Sequence, residues 1–442
     1  MATNVYNKQR ILDAINHHNM IFISAQPDTI YFHWQVSLYL YQFAKHGIGN
    51  RCYALFGYTG DQPSAYVQQL SKKYPSTVKY YKDTRAKEEL TYSPSIRPHI
   101  LAKFFAEYPQ LGENVFYHDS DIFLVRLPRF DLMLNDNVCY LSDTVSYIGY
   151  NYIKGCSERY KEIHQSLPTL DIFYGMCEVT DMNPEVIKKN EANSGGAQYL
   201  LKNIDARFWT ECQKKCYKLY SYLCEYEKKY PVSHHIQKWT TDMWIVLWEC
   251  WRNNKITRLH KELDFSWATG SVDDYYRLNI FHLAGITGNN SSDKFHKGKY
   301  TSQTVFDAYL SNPSIFDHIN KNNATYEYVK VILEYIENVY IIEKGLNKTN
   351  MFSRALEVNS FKMLTNNSYA GIYNKDKQTM CCNRPVWRSE NGHFVVFWNT
   401  SSWVLTYSKY IGSVGKNSGG LISNSAELPY DNMWNGDIDI VV

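Results

Sequence analysis

Between residues 20 and 118, short apolar runs alternate with segments of helical periodicity, and that alternation restricts the fold more than any other feature of the chain. MIFIS (20–24) reads as a buried strand. TIYFHWQVSLYLYQFAKHGI follows with Trp34, Leu38 and Tyr41 in helical phase. Asp28 or Thr29 can cap that helix and Gly47 can end it. RCYALFGY is a second strand, a polar helix comes next, and VKYYKD is a third strand. SPSIRPHILAKFFAEYP reads as a helix with Pro98 in its first turn, and NVFYHDSD as the following strand. Strands alternating with helices predict an α/β fold, a mostly parallel sheet flanked by helices on both faces.

The pattern continues with a strand at VCYLSDT, a glycine-containing loop and short strand at NSGGAQYLLKN, and a long helix beginning DARFWTECQ. TTDMWIVLWECW is a helix with Trp244, Trp248 and Trp251 on one stripe, read as core, and Thr240 or Thr241 as cap. LNIFHLAGIT is a late strand, and ATYEYVKVILEYIENVYIIEKG a helix. The character changes near residue 350, where strand-like runs are split by turns and Asn391-Gly392 marks a hairpin. The expected organisation is an α/β domain over 1–320, a helical connector over 321–349 and a small antiparallel β module over 350–442. Trp387, Trp398 and Trp403 in that module suit either a core or a carbohydrate surface.

Composition narrows the partners. Lys and Arg number 47 against 44 acidic residues, and no basic run of nucleic-acid type occurs, so nucleic acid is not an expected partner. The 38 tyrosines pair apolar rings with polar handles, which serves clefts and cores alike. The ten cysteines lack the spacing of a zinc site or a disulfide framework and read as reduced, buried thiols. The N-terminus has no apolar signal core, and no stretch is apolar enough for a membrane helix. A soluble cytoplasmic protein is expected, with Asn347-Lys348-Thr349 a chance sequon.

HDSDIFL poses the chemical question, because two carboxylates interrupt an apolar run. In parallel sheets ligands bind beyond the carboxyl ends of the strands. Asp119 and Asp121 stand where strand 114–118 runs out, and are expected at a solvent-facing mouth. Two carboxylates so spaced can share one hard divalent cation, and Mg²⁺ or Mn²⁺ then bridges to phosphates. Arg97, on the preceding helix, is the residue type that forks onto phosphate oxygens, or else a surface ion-pair partner.

Four pieces in order resemble the GT-A glycosyltransferase superfamily, in particular its glycogenin-like and galactosyltransferase-like family 8. They are HDSDIFL, NSGGAQYLLKN, TTDMW and FHLAGITG with KFHKGKY. SAQPDTIYFHWQVSLYLYQF is similar to microbial and viral sugar transferases of that superfamily. The resemblance implies a Rossmann-like GT-A domain in which Asp119, Asp121 and His282 hold the metal. It implies that Gly285 lets backbone approach a diphosphate and that Lys297, or alternatively Lys299, contacts it; the family's Lys-Pro-Trp is absent. Asn193 would meet the donor sugar and Asp242 would lie near its anomeric carbon. Asp28, Gln26 and Tyr58 would border the nucleotide base. The plainer alternatives are a strand histidine for His282, a turn residue for Asn193 and a helix N-terminal acid for Asp242. Asp143 fits a cap or a substrate-orienting carboxylate, and Trp267 a sugar platform.

The expected activity is metal-dependent transfer of a sugar from a nucleotide-diphosphate donor, UDP by default, to a hydroxyl of an acceptor glycan or glycoprotein, with Mn²⁺ or Mg²⁺ as cofactor. A non-catalytic glycan- or protein-binding protein on the same fold is the alternative. An aspartyl phosphohydrolase fits less well, because Ile122-Phe123 replaces the small pair that such enzymes carry after the second Asp.

Overall fold

The computed structural model describes residues 7–345, 360–364, 371–381, 384–398, 403–407, 421–422 and 439–441. They fall into two compact units, Met1–Tyr335 and Ile336–Val442. The sequon Asn347–Thr349 lies outside the described residues, as do the side chains of Trp398 and Trp403.

The first unit is built on a seven-stranded sheet. In chain order its strands are β1 (Ile21–Pro27), β2 (Cys52–Tyr58), β3 (Val78–Lys82), β4 (Asn114–Tyr117), β6 (Cys139–Asp143), β7 (Gly195–Lys202) and β8 (Thr257–Leu259), and they lie side by side as β3-β2-β1-β4-β7-β6-β8. β1 pairs in parallel with β2 and β4, β2 with β3, and β6 with β8; only β7 runs antiparallel to its neighbours. A three-stranded sheet, β5-β10-β9, is formed by β5 (Ile122–Leu124), β9 (Phe265–Trp267) and β10 (Ile280–His282).

The central strands are buried almost throughout, because both faces are covered. On one face, helix Ile96–Glu107 packs against helix Ala206–Lys229, with Phe105 stacked on Trp209. On the other, Phe22, Phe43, Phe116 and Phe130 meet edge to face. Pro98 does fall in the first turn of its helix. Trp244, Trp248 and Trp251 are all buried, so that stripe is core. Of the eight cysteines whose side chains are described, all free, only Cys224 is not fully buried.

Three local expectations need correction. β4 stops at Tyr117, and the apolar run after the aspartates is a separate strand in a different sheet. Neither Asp28 nor Thr29 caps helix Ile30–Lys45 through its side chain; the Asp28 carboxylate instead accepts the Ser64 N–H and hydroxyl. The glycine stretch is not a loop before a short strand, because β7 begins at Gly195 and is eight residues long. A Cβ at Gly195 would meet Ser142 O at 2.5 Å and Leu141 Cβ at 2.7 Å, so glycine there lets β7 close on β6.

The second unit carries a seven-stranded antiparallel sheet, β16-β15-β14-β13-β12-β11-β17. Its strands are β11 (Ser360–Leu364), β12 (Gly371–Cys381), β13 (Arg384–Ser389), β14 (Phe394–Trp398), β15 (Trp403–Tyr407), β16 (Leu421–Ile422) and β17 (Asp439–Val441). Gly392, at φ +69°, turns β13 into β14, and Trp387 is buried. Among the described residues, no helix is long and apolar enough to cross a membrane.

Candidate active site

The site forms where the two sheets of the first unit meet. β4 is central, between β1 and β7, and its last sheet contact is His118 N–H donating to Ile23 O at 3.1 Å. The chain then turns through Asp119, Ser120 and Asp121 before entering β5. β10 pairs antiparallel with β5 so that His282 faces Ile122 in register, and Leu283 N–H donates to Asp121 O at 3.0 Å. Strand register therefore delivers His282 to the aspartates from far along the chain.

His282 Nε2 lies 3.4 Å from Asp119 Oδ2 and 3.4 Å from Asp121 Oδ1. One potential ligand atom from each residue falls within 4.8 Å of the others. Two carboxylate oxygens and an imidazole nitrogen converging this closely suit a divalent ion that accepts oxygen and nitrogen together, Mn²⁺ better than Mg²⁺. His282 Nδ1 is 3.4 Å from the amide of Gln198, which is bonded to Ser142, whose hydroxyl donates to Leu263 O at 2.6 Å. For Nε2 to be a ligand, Nδ1 must carry the proton, and the Gln198 amide turned oxygen-first would accept it.

Cations already engage these carboxylates. Lys297 Nζ is ion-paired with Asp121, whereas Lys299 is exposed. Arg97 Nη1 lies 2.9 Å from Asp119 Oδ1 and 3.0 Å from Asp242 Oδ2, joining the two. Burial alone would raise the Asp121 and Asp119 carboxyls, but Lys297, Arg97 and His282 hold both below the ordinary range. Burial would likewise lower His282, but Asp121 and Asp119 outweigh it and push the imidazole up to about 9. Asp242 moves the other way from the aspartate pair. Burial raises it, and Arg97 and the Tyr92 hydroxyl only partly offset that. Asp121 is only 4% exposed, which corrects the expectation of a solvent-facing carboxylate: β5, β10 and Lys297 enclose it.

These groups line a cleft of about 280 Å³. Its charged end is the metal-type cluster with Lys297. Close in sequence to Arg97 and Asp242, Pro94, Trp239, Met243 and Val246 add apolar lining to the same cleft. Asp242 is the second residue of helix Thr241–Arg252. Its Oδ1 accepts from Tyr92 Oη at 3.0 Å, and its N–H donates to the same oxygen at 3.0 Å.

Most of the other expected residues lie elsewhere. Asp28, Tyr58 and Asn193 do not line the cleft. The Asp28 carboxylate is taken up by Ser64 and by His33 at 2.6 Å. Tyr58 stands at the end of β2 with its ring edge-on to Tyr80, and Gln26 Nε2 donates to Leu55 O within the sheet. The Asn193 carbonyl accepts from Thr257. Gly285, at φ +88°, turns the chain just after β10, next to the cleft residue Ala284. Asp143 is exposed and accepts the Val145 N–H. Trp267 lines the cleft with its ring stacked on His282. Sequence reasoning missed Tyr92, Gln198 and Trp239; no periodicity or motif marks them.

No family model matches the sequence, and no curated protein matches it. Solved structures similar to the chain include the apo bifunctional glycosyltransferase WbbM, at 10% identity over 69% of this chain and 51% of that one, TM-score 0.35. The galactosyltransferase LgtC in complex with donor and acceptor sugar analogues is 13% identical, covering 66% of this chain and 99% of that one, TM-score 0.30. The mannosyltransferase Ktr4p from S. cerevisiae is 10% identical over 74% and 95%, TM-score 0.25. The chain spans about half the length of WbbM. All three are glycosyltransferases. Likeness of this degree assigns neither donor nor acceptor.

Proposed function

We propose that the chain is a metal-dependent glycosyltransferase, moving a sugar from a nucleotide-diphosphate donor to an acceptor hydroxyl. The observation that carries this reading is the convergence of Asp119, Asp121 and His282, with Lys297 beside them and Asp242 across the same cleft.

Asp119, Asp121 and His282 would hold Mn²⁺ or Mg²⁺, whose chemistry there is to neutralise charge gathering on the departing diphosphate. Lys297 adds a point charge at the same end, suited to a phosphate oxygen. Arg97 fixes Asp119 and Asp242 relative to each other. Glycosyl transfer passes through an oxocarbenium-like state. Asp242, held between Arg97 and Tyr92, is a preorganised negative charge facing the space where that positive charge develops. Asn193, Asp28, Tyr58 and Gly285 belong to this reading only if the donor reaches past the cleft to them.

The test is nucleotide release from a panel of UDP-, GDP-, ADP- and dTDP-sugars, with Mn²⁺ and with EDTA. Metal-dependent turnover of one donor, abolished by EDTA, is expected. Nucleotide binding with no turnover of any donor would overturn catalysis in favour of a non-catalytic binding protein.

A further inference from the structure

The apolar end of the cleft holds a side chain that the proposed chemistry does not use. Trp239 is 59% exposed, and of the exposed large apolar residues among those described it alone lines the cleft. Its indole enters no ring contact or hydrogen bond with a described residue. Trp267, the other tryptophan of the cleft, is instead engaged with Phe265 and His282.

The Trp239 backbone is fixed. Its carbonyl accepts from Tyr92 Oη at 3.0 Å, and the same hydroxyl meets Asp242 Oδ1 at 3.0 Å. One phenol thus holds both the Trp239 backbone and the buried carboxylate. Arg97 links Asp119 to Asp242, and Tyr92 links Asp242 to the Trp239 carbonyl. The Trp239 backbone is therefore joined to Asp242 directly through Tyr92, and to Asp119 only by way of Asp242 and Arg97.

A pyranose ring has a C–H face that packs on an aromatic plane and an edge of hydroxyls that bond to charged groups. An exposed indole beside a fixed carboxylate and guanidinium matches that chemistry. We propose that Trp239 is the stacking platform for a sugar ring of the acceptor, so that the acceptor hydroxyl belongs to a saccharide and not to a peptide. The inference rests on the transferase reading above. A ring held on Trp239 would present a hydroxyl towards Asp242.

The test uses the full chain as wild type, Trp239→Ala and Trp239→Phe. Each is applied, with Mn²⁺ and either UDP or GDP, to an array of immobilised neutral oligosaccharides and of Ser-, Thr- and Tyr-containing peptides. Binding of Mn²⁺ with each nucleotide is titrated separately by calorimetry. The wild type is expected to retain a subset of the oligosaccharides. Trp239→Ala should bind them about five- to tenfold more weakly, Trp239→Phe should fall between, and nucleotide binding should be equal in all three. Equal glycan binding by Trp239→Ala, retention of peptides alone, or an empty array alongside intact nucleotide binding would overturn the saccharide platform and leave the transferase reading standing. Loss of nucleotide and glycan together in Trp239→Ala would move the indole to the donor and refute the assignment. A wild type that binds neither nucleotide with Mn²⁺, and also turns over no donor of the panel above, takes down both readings.

Discussion

Tyr92→Phe tests whether Asp242 governs the acidic limb of activity. The ring remains stacked on Tyr220, with centroids 4.4 Å apart, and the residue is buried, so the change deletes one oxygen from a closed space. That oxygen lies 3.0 Å from both Asp242 Oδ1 and Trp239 O, and it accepts the Asp242 N–H. A full hydrogen bond to a charged group is worth ~1.5–3 kcal/mol. One phenolic proton is shared between two acceptors, so the carboxylate receives about half of that. At 1.36 kcal/mol per pKa unit, losing it moves Asp242 up by about 0.5–1 unit. The direction follows from the chemistry: a donor to the charged form is removed, so the neutral form gains, adding to the upward push of burial. The acidic limb of kcat/KM, followed by nucleotide release at saturating Mn²⁺ between about pH 5 and 8, should shift to higher pH. The orphaned Asp242 N–H should also cost ~1–3 kcal/mol of stability, read from urea unfolding. Lower stability with an unmoved acidic limb would refute the role given to Asp242.

Asp121→Asn should abolish nucleotide release and also destabilise the metal-free protein by ~3–5 kcal/mol, because it strips Lys297 of its enclosed counter-charge; unchanged thermal unfolding would contradict that ion pair. His282→Ala should raise the Mn²⁺ concentration for half-maximal activity by at least about tenfold, and an unchanged metal titration would remove His282 from the site. Gly195→Ala should lower stability by ~1–3 kcal/mol, since its Cβ would meet the Ser142 carbonyl; a neutral melting curve would sink the close β6–β7 approach. For Asp28, burial is outweighed by bonds from His33 and Ser64, which hold the carboxyl below its ordinary 3.8. Its stabilisation is therefore full above that value and drains as pH falls through the folded pKa. Between about pH 5 and 3 the wild type should lose more urea stability than Asp28→Asn.

Much of the first unit could be read from local pattern. The parallel strands are short, largely apolar runs between helical segments, and the acidic pair sits where its strand leaves the sheet. What could not be read depends on distant pairing. β5 follows β4 after only four residues, and its pairing in register with β10 puts it in a different sheet. That register also brings His282 to the aspartates; spacing alone has no means of showing it. The family resemblance pointed to Asp28 and Tyr58, but a motif match gives place along the chain and not who competes for the side chain. Ser64 and His33 already occupy Asp28. Tyr92 and Trp239 sit in short 3-10 turns or beside them, where no repeat exists to single them out.

Three acidic side chains in the cleft, Asp119, Asp121 and Asp242, are already interlocked with Arg97, Lys297 and His282. The pocket thus carries its own counter-ions. On the transferase reading, a divalent ion entering alone would displace Lys297 from Asp121, leaving that ammonium without its counter-charge, and would loosen Arg97 from Asp119. Entering with a diphosphate, it would give those cations new oxygens to hold. Each guest therefore improves the welcome of the other, and by thermodynamic reciprocity to the same degree.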